Sequence, residues 1–159
     1  MSKAGTSHPN RQRGFSLLEL AIVLAIIAVA GAMAAPRYAR SVGRYRTEMA
    51  ARRIASDLAY ARRRARTAGA RQTVAFTPAT NDYRLPGARS LKSASGEYVV
   101  DLAVDPYRTA LISADFGGDA TVIFDAYGAP DSGGSIRVGT GTFVKTVVLD
   151  ADSGRATVQ

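Results

Sequence analysis

From Phe15 to Ala35 the chain is apolar at every position except Ser16 and Glu19. These 21 residues form a helix of about 32 Å at the standard rise, enough to cross the hydrocarbon core of a bilayer. Beyond them the pattern changes. Tyr38, Val42, Tyr45, Met49, Ile54, Leu58, Ala61 and Ala65 recur mostly every three or four residues, the period of one apolar helical stripe. The two patterns predict a single helix from Phe15 to about Ala68, roughly 80 Å long. Pro36 stands at the junction and cannot donate to the carbonyl of Ala32, so a kink is expected there.

After Gly69 the period shortens to an alternation. Thr73 to Phe76, Glu97 to Val104, Thr121 to Ala126, Ser135 to Val138, Val144 to Leu149 and Arg155 to Val158 are short runs rich in β-branched residues and read as strands. In the second of them Tyr98, Val100, Leu102 and Val104 share one face. Turn residues separate the runs at Asn81-Asp82, Pro86-Gly87, Ser95-Gly96, Gly117-Gly118-Asp119, Ala129 to Gly134 and Asp152-Ser153-Gly154. Strands this short, with no helical pattern between them, form antiparallel sheet. The expected class is therefore α+β, with the stripe of the helix covering one face of the sheet.

Glu19 is the only charge between Phe15 and Ala35, and an ionised carboxylate at membrane depth costs a few kcal/mol unless it is used or lies near the interface. Near the start of the helix the positive end of the dipole favours it. A free amino group at Phe15 would give it a cation, in the same chain or in a staggered neighbour. Two plainer readings stand beside this one. Ala32-Met33-Ala34, with Lys3, Arg11 and Arg13 ahead of the apolar run, fits an ordinary secretory signal. A simple membrane anchor fits too, and basic residues on both sides of the helix leave its orientation open. Ala21, Ala25, Ala28, Ala32 and Ala35 make one smooth face along it, suited to close helix approach.

Composition narrows the chemistry. The chain has no cysteine and no tryptophan, and its one histidine is His8. Thiol nucleophiles, Ser/His/Asp triads and His/Cys zinc sites thus have no residues to build them beyond His8, and no cofactor motif is present. The net charge of +8 is uneven. Residues 37–71 carry eleven arginines against Glu48 and Asp57, whereas residues 72–159 carry seven basic and ten acidic residues. Asp150-Ala151-Asp152-Ser153-Gly154 has the opening spacing of a calcium loop without its closing glutamate and reads better as a hairpin turn. Asp115-Phe116-Gly117 and Gly139-Thr140-Gly141 lack the companions of a kinase or phosphate-loop motif.

Gly14-Phe15-Ser16-Leu17-Leu18-Glu19-Leu20, at the head of the apolar run, resembles the processing and assembly signal of type IV pilins and pseudopilins. The resemblance implies cleavage after Gly14 by a prepilin peptidase, N-methylation of Phe15, and a role for Glu19 in filament assembly; Pro36 also matches the family. Removal of residues 1–14 would leave 145 of the 159 residues, enough for one anchored domain. The implied division is a cytoplasmic leader at 1–14, a transmembrane and assembly helix at 15–36, an amphipathic helix at 37–70 and a periplasmic β-rich domain at 71–159, in a single-pass inner-membrane protein. Phe124, Gly128, the run Gly134-Ser135-Ile136-Arg137-Val138, Val144 to Leu149 and Asp152-Ser153-Gly154-Arg155-Ala156 resemble the globular domain of the GspH/FimT family.

Two functions follow from that resemblance. The first is a minor pseudopilin of a type II secretion system, a structural subunit and not an enzyme, whose partners are the peptidase, other pilin or pseudopilin subunits and an inner-membrane assembly platform. The second is a FimT-like minor pilin that binds DNA for uptake, for which Arg62, Arg63, Arg64, Arg66 and Arg155 are the candidate anion contacts. The family's DNA-binding members tend to carry a further basic residue shortly after a C-terminal Gly-Arg pair, where this chain has Ala156 and Thr157 after Gly154-Arg155. The plain alternative for the arginines is a solvated face or salt bridges between subunits.

Overall fold

The computed structural model describes residues 15–89 and 96–159; the side chains of Ala34, Ala35 and Pro36 lie outside the described residues, as do Gly14 and the rest of the expected leader. One helix, α1, spans Leu17–Ala68, close to the bounds set by the apolar pattern. The kink expected at Pro36 falls on a residue whose side chain is not described. The described residues divide into two units, one ending at Ala39 and the other beginning at Arg40.

In the second unit α1 buries Ala50, Ala51, Ile54, Leu58, Ala61 and Ala65. Only the latter half of the expected stripe is correct. Tyr45 is 66% exposed, because it lies nine residues before Ile54, and nine steps of about 100° end on the opposite side of a helix. The buried face continues backward instead through small residues, Thr47 and Gly43. Gly43 faces Phe143, where even an added Cβ would make an ordinary contact with the ring at 3.6 Å. Tyr38, in the first unit, is likewise exposed.

Among the described residues eight strands follow: β1 (Gln72–Thr77), β2 (Asp82–Arg89), β3 (Glu97–Asp101), β4 (Ala110–Asp115), β5 (Thr121–Phe124), β6 (Gly134–Thr140), β7 (Phe143–Leu149) and β8 (Ala156–Val158). They form two four-stranded sheets, ordered β3-β2-β1-β5 and β4-β6-β7-β8, with every pairing antiparallel. The single sheet expected is thus two, and two strands were not foreseen. Pro86-Gly87 is not a turn between strands but part of β2, where the pairing with β3 shifts register between Leu85 and Arg89. Gly87 has φ +75°, a conformation that glycine tolerates and that lets the strand bulge instead of ending. β4 was missed because Ala110 to Asp115 mixes Ser and Ala with only two large apolar residues. In the run from Glu97 to Val104 pairing stops at Asp101, whose carboxylate accepts the Ala103 amide at 2.8 Å and starts a turn. Val104 is then exposed while Leu102 is fully buried.

The core joins the helix to both sheets. Ile54 and Leu58 from α1, Val74 from β1, Tyr83 and Leu85 from β2, Val122 and Phe124 from β5, and Ile136, Val138, Val147 and Leu149 from β6 and β7 are all essentially inaccessible. Phe76 bridges inward aromatics, its ring centroid 5.3 Å from Tyr83 and 5.6 Å from Phe116.

Candidate assembly segment and basic pocket

The first turn of α1 is set by Ser16. Its Oγ accepts the Leu18 amide at 3.1 Å, and its carbonyl accepts the Leu20 amide at 3.1 Å. Ser16 is therefore the N-cap, and Glu19 stands three residues later, the spacing of a capping box. This role was legible in the sequence, where Ser16-Leu17-Leu18-Glu19 directly precedes an apolar run, but it was not foreseen. Glu19 is the acidic residue of the first turn and is exposed. Phe15 is 80% exposed, as are most of the large apolar side chains from Leu17 to Met33. Among the described residues α1 is the one helix long and apolar enough to cross a membrane.

The arginine run divides. Arg62, Arg63 and Arg66 line a pocket of about 280 Å³ together with Arg155, Ala59, Gly154 and Ala156. Arg64 is elsewhere, donating to the Gln72 side chain and to the Gly87 carbonyl. Two glycine turns make room for the pocket's arginines. Gly128 has φ +82° and a Cβ there would lie 2.7 Å from Cδ of Arg66; Gly154 has φ +61° and a Cβ there would lie 3.3 Å from Nε of Arg62. Arg62 Nε donates to the Gly128 carbonyl at 3.1 Å.

Aspartates hold both turns. Asp125 Oδ1 accepts the amides of Tyr127 and Ala129. Asp150 Oδ1 accepts the Ser153 hydroxyl at 2.6 Å and its amide at 2.7 Å, bonds that hold the Asp150 carboxyl below its ordinary range. The Asp150 amide bonds the Arg155 carbonyl at 3.0 Å, and Gly154 N–H bonds the Asp150 carbonyl at 2.9 Å. The segment is the hairpin turn expected from its sequence. Among the described residues no group of three or more His, Asp or Glu side chains could hold a metal ion.

A third cluster ties the helix to the first sheet. Asp57, buried on α1, accepts the Tyr83 hydroxyl at 2.6 Å, the Tyr98 hydroxyl at 2.9 Å and Arg53 Nε at 3.0 Å, and Arg53 also donates to Tyr98 and lies over its ring. Burial first, and then the Asp57 charge, raise the hydroxyl pKa of Tyr83 well above its ordinary value and that of Tyr98 to about 12. The signal for this cluster was a lone carboxylate on the buried stripe, between Ile54 and Leu58. A buried carboxylate that accepts three hydrogen bonds from two sheet tyrosines and its own helix's arginine is suited to fixing the helix on the sheet.

A long helix, apolar through its first half, followed by a domain of helix and antiparallel sheets, defines a pilin-like α+β protein. The prokaryotic N-terminal methylation motif matches residues 9–35, and the profile of the type II transport protein GspH matches residues 50–154. The chain belongs to the GspH family. It is also similar to the type II secretion system protein H of Xanthomonas campestris pv. campestris, with 34% identity over an 88-residue alignment that covers 50% of this chain and 52% of that protein. The chain thus spans about half the length of this curated relative. No solved structure matches it.

Proposed function

We propose that the protein is a minor pseudopilin, a structural subunit of the filament of a type II secretion system that acts in protein export. The match of residues 50–154 to GspH, in a chain that also carries the methylation motif at 9–35, is the observation that carries this reading. The likeness to a type II secretion protein favours export over the pilus and DNA-uptake alternative.

In this reading a prepilin peptidase cleaves after Gly14, Phe15 becomes the N-methylated first residue, and Glu19 guides assembly with other pseudopilins on an inner-membrane platform. Pro36 bends the rod between the transmembrane part, 15–36, and the amphipathic part, 37–70. The β-rich domain, 71–159, stands in the periplasm, and its work is packing and contact without catalysis. The 19 residues from Phe15 to Met33, exposed and nearly all apolar, support burial in lipid before assembly and against other helices afterwards. Mass spectrometry of the mature protein tests the proposal directly. An N-methylated Phe15 is the expected N-terminus, whereas a mature chain beginning at Ala35 would point to an ordinary secretory signal and overturn the reading.

A further inference from the structure

The pocket beneath the Gly128 and Gly154 turns gathers four guanidinium groups, from Arg62, Arg63, Arg66 and Arg155. Among the described residues none of the four lies within salt-bridge distance of a carboxylate; the ion pairs present involve Arg52, Arg53, Arg84, Arg108 and Lys145. Like charges one helical turn apart, as at Arg62 and Arg66, repel and destabilise a helix. The carboxylates close in sequence do not relieve this. Those of Asp125 and Asp150 are held by the amides of their own turns. The fold meanwhile makes deliberate room for the arginine stems, since both turns use glycine at positive φ where a Cβ would crowd Arg62 or Arg66. Four unneutralised cations in a shaped concavity call for an oxyanion from outside.

We infer that this pocket receives the carboxylates of an acidic segment of another protein subunit, a partner class that rests on the filament reading above. The lining disfavours a nucleic acid held by base stacking, and the lack of a continuous basic track disfavours one held along its phosphates. No aromatic residue lines the pocket, and Tyr60, the nearest helix aromatic in sequence, is stacked against Tyr98 at 6.1 Å, so a platform for bases is lacking. Arg64, which would have extended a basic track along the helix, is engaged with Gln72 and Gly87. What remains is a point site for one or two carboxylates, held by the planar forks of arginine.

The test uses the full-length chain in lipid nanodiscs and a fluorescent, end-capped hexaglutamate peptide, with a short duplex DNA oligonucleotide and inorganic phosphate as comparators. The peptide should bind with a shallow salt dependence, equivalent to about one or two ions. The double variant Arg63→Gln/Arg155→Gln, both exposed positions, should weaken it at least about tenfold, the loss of a charge-assisted pair. Arg84→Gln/Arg89→Gln, exposed on β2, should not change it, which separates the pocket from general basicity. Equal binding by the pocket variant, tighter and steeply salt-dependent binding of the oligonucleotide, or binding of phosphate alone would each overturn the inference. None of these results depends on the N-terminus of the mature protein, so failure here and failure of the pseudopilin reading are told apart.

Discussion

Tyr83, on β2 and wholly buried, donates its hydroxyl to Oδ2 of Asp57 on α1 at 2.6 Å, across 26 residues of chain. The bond turns a buried charge, otherwise costly, into a fixed joint between helix and sheet. Tyr83→Phe keeps the ring and its contact with Phe76 but deletes a hydrogen bond to a charged group, so a loss of about 1.5–3 kcal/mol is expected. Asp57→Ala should be worse, about 2–4 kcal/mol, because it removes the acceptor of both the buried Tyr83 hydroxyl and the Tyr98 hydroxyl, while the part-exposed Arg53 is left to solvent. Denaturant titration of the two variants checks both the sizes and their order.

The same joint predicts an alkaline weakness. The folded protein holds the protons of Tyr98 and Tyr83 above the usual phenol range, that of Tyr98 up to about 12 and that of Tyr83 well above its ordinary value. The unfolded chain releases them near pH 10. Between these limits the unfolded state binds fewer protons than the folded one, so stability falls as pH rises. The decline should begin near pH 10 and continue through pH 12, and Tyr83→Phe should flatten it. Melting temperatures across that range provide the measurement; a flat profile in the parent protein would contradict the assignment.

Gly128 offers a separate test of the turn that roofs the arginine pocket. At φ +82° an alanine is strained by roughly 1–2 kcal/mol, and its Cβ would also meet the Arg66 stem at 2.7 Å. Gly128→Ala should therefore destabilise the domain by more than the backbone term alone. Adding Arg66→Ala removes the closest clash but neither the strain nor the tight 3.1 Å approach to Cγ of Arg62. The double variant should recover about half of the loss, and a double-mutant cycle in thermal unfolding would show that coupling.

How far the fold was legible depended on which physical signal each element carried. α1 was readable end to end because nineteen apolar residues among the 21 from Phe15 to Ala35, followed by a periodic stripe, spell one continuous helix. Its face was misassigned at Tyr38 and Tyr45 because large apolar side chains were followed in place of helical phase: the phase set by Ile54 runs back through Thr47 and Gly43, seven and eleven residues earlier, which are small and carry little hydrophobic signal. β2 was hidden by Pro86-Gly87, which marks a bulge as readily as a turn, and the choice between them is made by pairing with β3. The arginines were visible as a run in which helical phase already turns Arg64 away from Arg62 and Arg66, whereas the placing of Arg155 beside them rested on the family resemblance and is seen only in tertiary structure. The Asp57 joint needed partners 26 and 41 residues away, beyond any local pattern.

Ser16 and Glu19 present two roles that one substitution can distinguish. As the third residue of a helix capped by Ser16, Glu19 can serve its own helix by reaching back to the Ser16 amide, a task that glutamine performs as well as glutamate. As the proposed assembly residue it must instead present a negative charge to the cationic N-terminus of a neighbouring Phe15, which glutamine cannot do. Glu19→Gln and Glu19→Ala therefore have the same expected consequence for assembly: processing after Gly14 proceeds while incorporation into filaments falls severely, as read by cross-linking of the variant to other pseudopilins in membranes. If Glu19→Gln assembles normally while Glu19→Ala does not, Glu19 acts through the local cap and the pairing between subunits must be assigned to another residue. Ser16→Ala completes the set, since it should weaken the first turn by about 1 kcal/mol and leave the charge of Glu19 in place.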